Sequence, residues 1–179
     1  MKKVLLLAGF AGMVAANAEA IDVTPYVGVD ATYASMDSDR GSAVSSKNWA
    51  GDIVLGARTD HYGLEGYFEN GLRDHRTLKP GKYTVRNRKF GIDAIAYQPL
   101  GCSGRWEGLA SAGLTFNRAR IHHAGGVEND NGRGERLGAG LQYAVSENAA
   151  VRAMYHYNWI HQSQVNNANE ISLGVRYSF

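Results

Sequence analysis

Residues 170–179 read Glu-Ile-Ser-Leu-Gly-Val-Arg-Tyr-Ser-Phe, and this stretch restricts the possible folds more than any other. Ile171, Leu173, Val175, Tyr177 and Phe179 fall on one face of an extended chain, and Ser172, Gly174, Arg176 and Ser178 on the other. Alternation with period two, apolar against polar, marks a strand that separates two environments. The apolar face ends on Tyr177 and Phe179, aromatic residues of the kind that sit at a lipid–water boundary in the closing strand of an outer-membrane barrel. The expected fold is an all-β, antiparallel transmembrane β-barrel, with Tyr177 and Phe179 as its C-terminal assembly signal.

The start of the chain agrees with export. Lys2 and Lys3 precede an apolar run over 4–16, and small residues follow at Ala16, Ala18 and Ala20. These are the parts of a secretory signal peptide, and the run is too short to span a bilayer as a helix. Cleavage is expected after Ala20, with Ala18 as the alternative, which divides the chain into a signal peptide at 1–20 and a barrel at 21–179. Removing Lys2, Lys3 and Glu19 leaves 17 basic against 16 acidic groups. So balanced a charge argues against a dedicated nucleic-acid binder. Cys102 is the single cysteine, so no intramolecular disulfide forms, and its Gly-Cys-Ser-Gly setting reads as a turn. Mean hydropathy is negative, but in a barrel only every second residue meets lipid.

Seven further segments alternate in the same way. The outward sets are Val27, Val29, Ala31 and Tyr33; Trp49, Ile53, Leu55 and Ala57; Leu64 and Phe68; Phe90, Ile92, Ala94 and Ala96; Ala110, Ala112, Leu114 and Phe116; Leu137, Ala139, Leu141 and Tyr143; and Val151, Ala153, Tyr155 and Tyr157. Gly66 and Gly108 interrupt the third and fifth. Connections at 59–62, 98–105 and 146–149 are short; those at 36–47, 70–83, 118–136 and 159–169 are longer and polar. Short turns at one end and long loops at the other predict eight strands, with the loops outside the cell and both termini periplasmic. Ten strands would consume the long loops.

The inward faces carry Asp30, Asp52, Glu65, Glu69, Asp93 and Glu107 against Arg58, Lys89, Arg152 and Arg176. Eight strands enclose a space just wide enough for side chains, so these charges are expected to pair, since an unpaired buried charge is costly. That reading gives a packed polar core. The alternative is a small porin with narrow conductance through the charged lumen. Met154 and His156 also face inward. His122 and His123 are adjacent in a loop without a third ligand, a weak metal pattern. No cofactor motif is present, neither G-x-G-x-x-G nor a P-loop.

The chain resembles the opacity family, the neisserial opacity proteins and small surface proteins. The residues that carry the likeness are Leu141-Gln-Tyr-Ala-Val145, Arg152-Ala-Met-Tyr155-His-Tyr157-Asn-Trp-Ile160, Ser172-Leu-Gly-Val-Arg-Tyr-Ser-Phe179 and, upstream, Ala112-Gly-Leu-Thr-Phe-Asn-Arg-Ala119. The resemblance implies an eight-stranded outer-membrane barrel whose outer loops bind host receptors. His156 stands where family members usually carry arginine, and the loops are shorter and unlike theirs. Fold and location therefore carry over, and receptor choice does not.

Arg73, Arg76, Lys79 and Lys82 in the second long loop form a candidate anion- or glycan-binding cluster, with Arg86, Arg88, Arg118 and Arg120 nearby. Sulfated host glycans and the phosphates of the cell's own lipopolysaccharide are its two candidate ligands. An enzyme acting on lipid A is disfavoured. Some eight-stranded barrels use a His-x-Ser pair on strand seven, where this chain reads His156-Tyr157-Asn158. The expected protein is a non-enzymatic, monomeric, cofactor-free surface barrel, structural or adhesive. Its partners are outer-membrane lipid, the barrel-assembly machinery and a host receptor or glycan.

Overall fold

The computed structural model describes residues 22–37, 46–71, 74–78, 81–123, 126–161 and 167–179. Within them the chain runs β1 (Thr24–Asp37), β2 (Ser46–Arg58), β3 (Tyr62–Gly71), β4 (Asp74–Leu78), β5 (Gly81–Leu100), β6 (Trp106–His123), β7 (Gly126–Ala144), β8 (Ala149–His161) and β9 (Asn167–Ser178). Every pairing is antiparallel. The order is β3-β2-β1-β9-β8-β7-β6-β5-β4, and a β3–β5 ladder closes the ring. Because β3 and β4 pair in turn along the same β5, the barrel wall has eight staves. Closure leaves no open sheet edge within the wall, the condition for strands to cross lipid.

The two faces differ as the alternation predicts. Ile53 (61% exposed), Phe90 (54%) and Ile171 (59%) lie on the outer wall, while Asp93 is 1% exposed on the inner. So much apolar surface facing outward suits a hydrocarbon surround rather than water. Aromatic contacts ring both ends of this apolar band. Trp106–Tyr143 and Tyr177–Phe179 lie at the short-turn end, and Tyr33–Trp49, Phe90–Phe116 and Tyr157–Trp159 at the other. On β6, ten residue steps separate Trp106 from Phe116. With strands tilted about 40°, that is about 25 Å of height, the thickness of the apolar band of a membrane barrel.

The short turns fall where expected. Thr59 N–H donates to the Tyr62 carbonyl at 2.7 Å, and Gly101 and Gly104 take positive φ, 70° and 64°, in the turn holding the exposed Cys102. The chain's first and last strands meet at this end, where Phe179 N–H donates to the Pro25 carbonyl at 3.1 Å.

Two of the expected long loops are largely strand. β4 pairs with β5 from Asp74↔Val85 to Leu78↔Gly81, and the β6–β7 ladder continues to His123↔Gly126. Residues 79–80 and 124–125, between these strands, lie outside the described residues. The alternation that reveals a strand in lipid disappears once both faces meet polar surroundings, so these extensions read as loop. Three long strands, β5 (20 residues), β6 (18) and β7 (19), thus rise above the rest as a polar blade edged by β4.

Candidate functional site

The lumen is built from the inward half of each alternating strand. From the short-turn end upward, Arg58 makes a two-pronged bond to Glu107, Nη1 to Oε2 at 2.9 Å and Nη2 to Oε1 at 2.6 Å. Its guanidinium lies 3.9 Å from the Tyr97 ring centroid. Gln142 Nε2 donates to the same Glu107 at 2.8 Å.

Above them, Arg152 spreads its donors over Gln142 Oε1 (2.9 Å), Glu65 Oε2 (2.6 Å) and the Tyr97 hydroxyl (3.1 Å). Glu65 also accepts from the Tyr26 hydroxyl at 2.9 Å and lies 3.4 Å from Arg176 Nε. Arg176 grips both oxygens of Asp30, at 2.5 and 2.9 Å.

Near the blade end, Arg136 binds both oxygens of Asp93 and lies over the Tyr67 ring. Lys89 Nζ sits 2.5 Å from Glu69 and 2.5 Å from Glu170. Charge-assisted bonds in this low-dielectric space are short and strong.

Glycines make room for the large inward groups. The Tyr26 ring lies directly over Gly56, and the Asp30 carboxylate over Gly174, so a Cβ at either would overlap it.

All ten inward charges expected from the sequence lie on the lumen side, and two more join them. The loop boundary drawn from the sequence takes in Arg136, and the inward set omits Glu170 although that residue opens the terminal segment. One further step of the alternation places Arg136 with Gly138, Gly140 and Gln142, and Glu170 with Ser172, Gly174 and Arg176. The interior is also less polar than expected. Tyr26, Val54 and Tyr67 form one buried apolar cluster, and Ile95, Tyr97, Leu109 and Met154 another.

One expectation fails. Asp52 meets no cation among the described residues. Its Oδ2 accepts from the Thr32 hydroxyl at 2.6 Å, while Oδ1 has no partner. The register explains this, because Asp52 sits between Asp30 on β1 and Glu69 on β3. Arg176 and Lys89 serve those two neighbours, and neither pairs with Asp52. A cavity of about 20 Å³ adjoins Asp52, Tyr67, His156 and Glu170, room for about one water. His156 is buried opposite Glu170, away from the lipid-facing wall.

Other candidates fall at the blade. Arg73 and Lys79 lie outside the described residues, and Arg76 and Lys82 are placed by backbone alone, on β4 and β5. His122 and His123 are successive in β6, which puts them on opposite faces of the strand. Among the described residues no cluster of three or more His, Cys, Asp or Glu is arranged to hold a metal. Tyr177 and Phe179 meet edge to face on the outer wall, 5.4 Å apart.

A family model described as "Outer membrane protein beta-barrel domain" matches residues 4–179. The chain belongs to this outer-membrane β-barrel family. Its location is the outer membrane. No curated protein sequence matches the chain. Among solved structures, neisserial surface protein A (NspA) superposes with a TM-score of 0.73 at 24% identity, over 88% of this chain and 99% of that one. A major outer membrane protein from Thermus thermophilus gives 0.62 at 12%, over 88% and 99%. Ail, the attachment invasion locus protein of Yersinia pestis, gives 0.59 at 15%, over 88% and 97%. At these identities the likeness is one of fold. The eight-stranded barrel expected from the strand motifs, and their resemblance to neisserial surface proteins, are both borne out.

Proposed function

We propose that this outer-membrane barrel is a structural and adhesive surface protein, with a lumen closed to ions and a polar β-blade that engages anionic ligands outside the cell. The observation that carries the reading is the unequal wall. The strands β4 to β7 continue past the aromatic girdle into a ladder with nothing to do inside the membrane, while the lumen below is filled by bonded side chains. Both termini lie in the periplasm in this reading, residues 1–20 are removed on export, and Tyr177 and Phe179 mark the chain for barrel assembly.

The cations Arg76 and Lys82 belong to β4 and β5 at the blade's edge, Arg73 and Lys79 are close to them in sequence, and the four suit sulfated glycans by charge. Ail offers a precedent on the same fold, since it has been crystallised with the heparin analogue sucrose octasulfate. The role is non-enzymatic: His156 is enclosed in the lumen, and Asn158 stands where a serine nucleophile would be needed.

Two measurements on the refolded mature barrel test this. Heparin retention at rising salt is expected to fall when Arg73, Arg76, Lys79 and Lys82 are changed to Ser. Unchanged retention removes the glycan role. Planar-bilayer recording is expected to show no steady unitary current, whereas a current abolished by Glu65→Gln would make the protein a small porin.

A further inference from the structure

On the outer face of β5, β6 and β7 the wall changes character within one rung. Phe90 and Phe116 are register partners and stack, ring centroids 5.0 Å apart and planes 15° from parallel. The next outward rung pairs Arg88 with Arg118, and the one above it pairs Arg86 with Arg120. On β7, Arg133 stands opposite Phe116. Arg88, Arg118 and Arg133 are all exposed.

Like charges directly across a ladder repel and destabilise the pair. Here that arrangement occurs at Arg88 and Arg118, and the backbone register brings Arg86 opposite Arg120 two residues further on. The outer-face neighbours of the Arg88–Arg118 rung are neutral on either side. Asn70 is opposite Arg88, and Asn131 is opposite Arg118 and accepts from its Nε at 3.3 Å. In the backbone register Glu128 and Asp130 are opposite Ile121 and Ala119, not opposite an arginine of the ladder. Glu135 does lie on the outer face, one rung below Arg133, but it is 3.6 Å from His161 Nδ1 on the far side. The register therefore places no carboxylate between the facing arginines.

We infer that this arginine ladder is a binding site for the phosphates of an anionic glycolipid in the leaflet at the blade end of the barrel. Three features select that ligand. The guanidinium fork matches phosphate oxygens two at a time. Successive rungs are about 7 Å apart along a strand and neighbouring strands about 5 Å apart, so the patch accommodates more than one phosphate. Directly below lies exposed apolar wall, Ile92 and Leu114 beneath the two phenylalanines, on which acyl chains can rest. A soluble anion would satisfy the charge and leave that wall uncovered. An amphiphile satisfies both. The site is separate from Arg73, Arg76, Lys79 and Lys82, so it stands or falls independently of the glycan reading.

The test is native mass spectrometry of the refolded barrel in detergent micelles, titrated with bis-phosphorylated lipid A, with dephosphorylated lipid A, and with a soluble heparin oligosaccharide. Wild-type protein is expected to hold bis-phosphorylated lipid A and to bind the dephosphorylated form weakly. The triple variant Arg88→Ser/Arg118→Ser/Arg133→Ser is expected to lose affinity for the former by about a hundredfold, each cation near the surface being worth about fivefold. Arg73→Ser/Arg76→Ser/Lys79→Ser/Lys82→Ser serves as the control and should bind lipid A as wild type does. Unheated electrophoretic mobility establishes that each variant is folded. Equal binding of the two lipid A forms overturns the proposal. So does a triple variant that keeps lipid A, including one that loses only the heparin oligosaccharide.

Discussion

β5 and β6 can be read as two halves of one ladder. From Trp106 to Phe116 the outer residues between the two aromatics are Gly108, Ala110, Ala112 and Leu114, and the inner ones are Glu107, Leu109, Ser111, Gly113 and Thr115. Between Phe116 and His122 the same hydrogen-bonded pairing continues without a break, yet the positions that follow Phe116 in the outward series are Arg118, Arg120 and His122. The backbone does not register the change of solvent. Only the side chains do. A sheet thus carries its geometry across a membrane boundary while the pattern that announces it stops there.

The sharpest way to break this comparison is to attack the lumen, where charges have no solvent to retreat to. Arg152→Ala leaves Glu65, the Tyr97 hydroxyl and Gln142 without their shared donor. Removing one member of a buried pair costs about 3–5 kcal/mol, so the urea midpoint of the refolded barrel should drop further than for any change in the blade. A loss below about 1 kcal/mol would mean that water replaces the guanidinium and the lumen is wet.

The outer wall gives a smaller but more diagnostic contrast. Leu114→Arg, inside the apolar band, is expected to cost about 2–4 kcal/mol. Asn131→Arg, on the blade above the girdle, should stay within about 0.5 kcal/mol. Equal costs for the two would misplace the boundary drawn at Phe90 and Phe116.

The smallest effect belongs to Asp52. Because it has no cation among the described residues and stands between Asp30 and Glu69, Asp52→Asn relieves repulsion and keeps the bond from Thr32. Stability in the same unfolding assay should be unchanged or slightly raised. A loss above about 1 kcal/mol would show that Asp52 is held by a positive partner after all.

Much of the barrel was legible because lipid imposes a strict rule on alternate residues. The facing of Lys89, Asp93, Arg152 and Arg176 followed from their apolar neighbours alone. Arg136 and Glu170 escaped because each sits one step beyond the last outward apolar residue, where the rule has just lapsed. Ile95 escaped for the opposite reason: flanked by Ala94 and Ala96, it belongs to an apolar run in which neither face is polar. Which carboxylate each arginine chooses was not legible at all. Pairing across the lumen, as between Arg58 and Glu107 or Arg152 and Glu65, joins strands that are not neighbours in the sheet, and depends on barrel diameter and strand stagger rather than on spacing along the chain.

The meeting of β1 with β9 has a consequence in time. Its rungs, from Tyr26↔Ser178 to Asp37↔Asn167, join residues from opposite extremes of the chain. Each neighbouring hairpin can zip locally, but this seam needs β9 to be present before it can form. The wall cannot be sealed progressively during synthesis. Until the final strand arrives, two unsatisfied edges are exposed together, and the slowest, most non-local contact is the one that makes the cylinder.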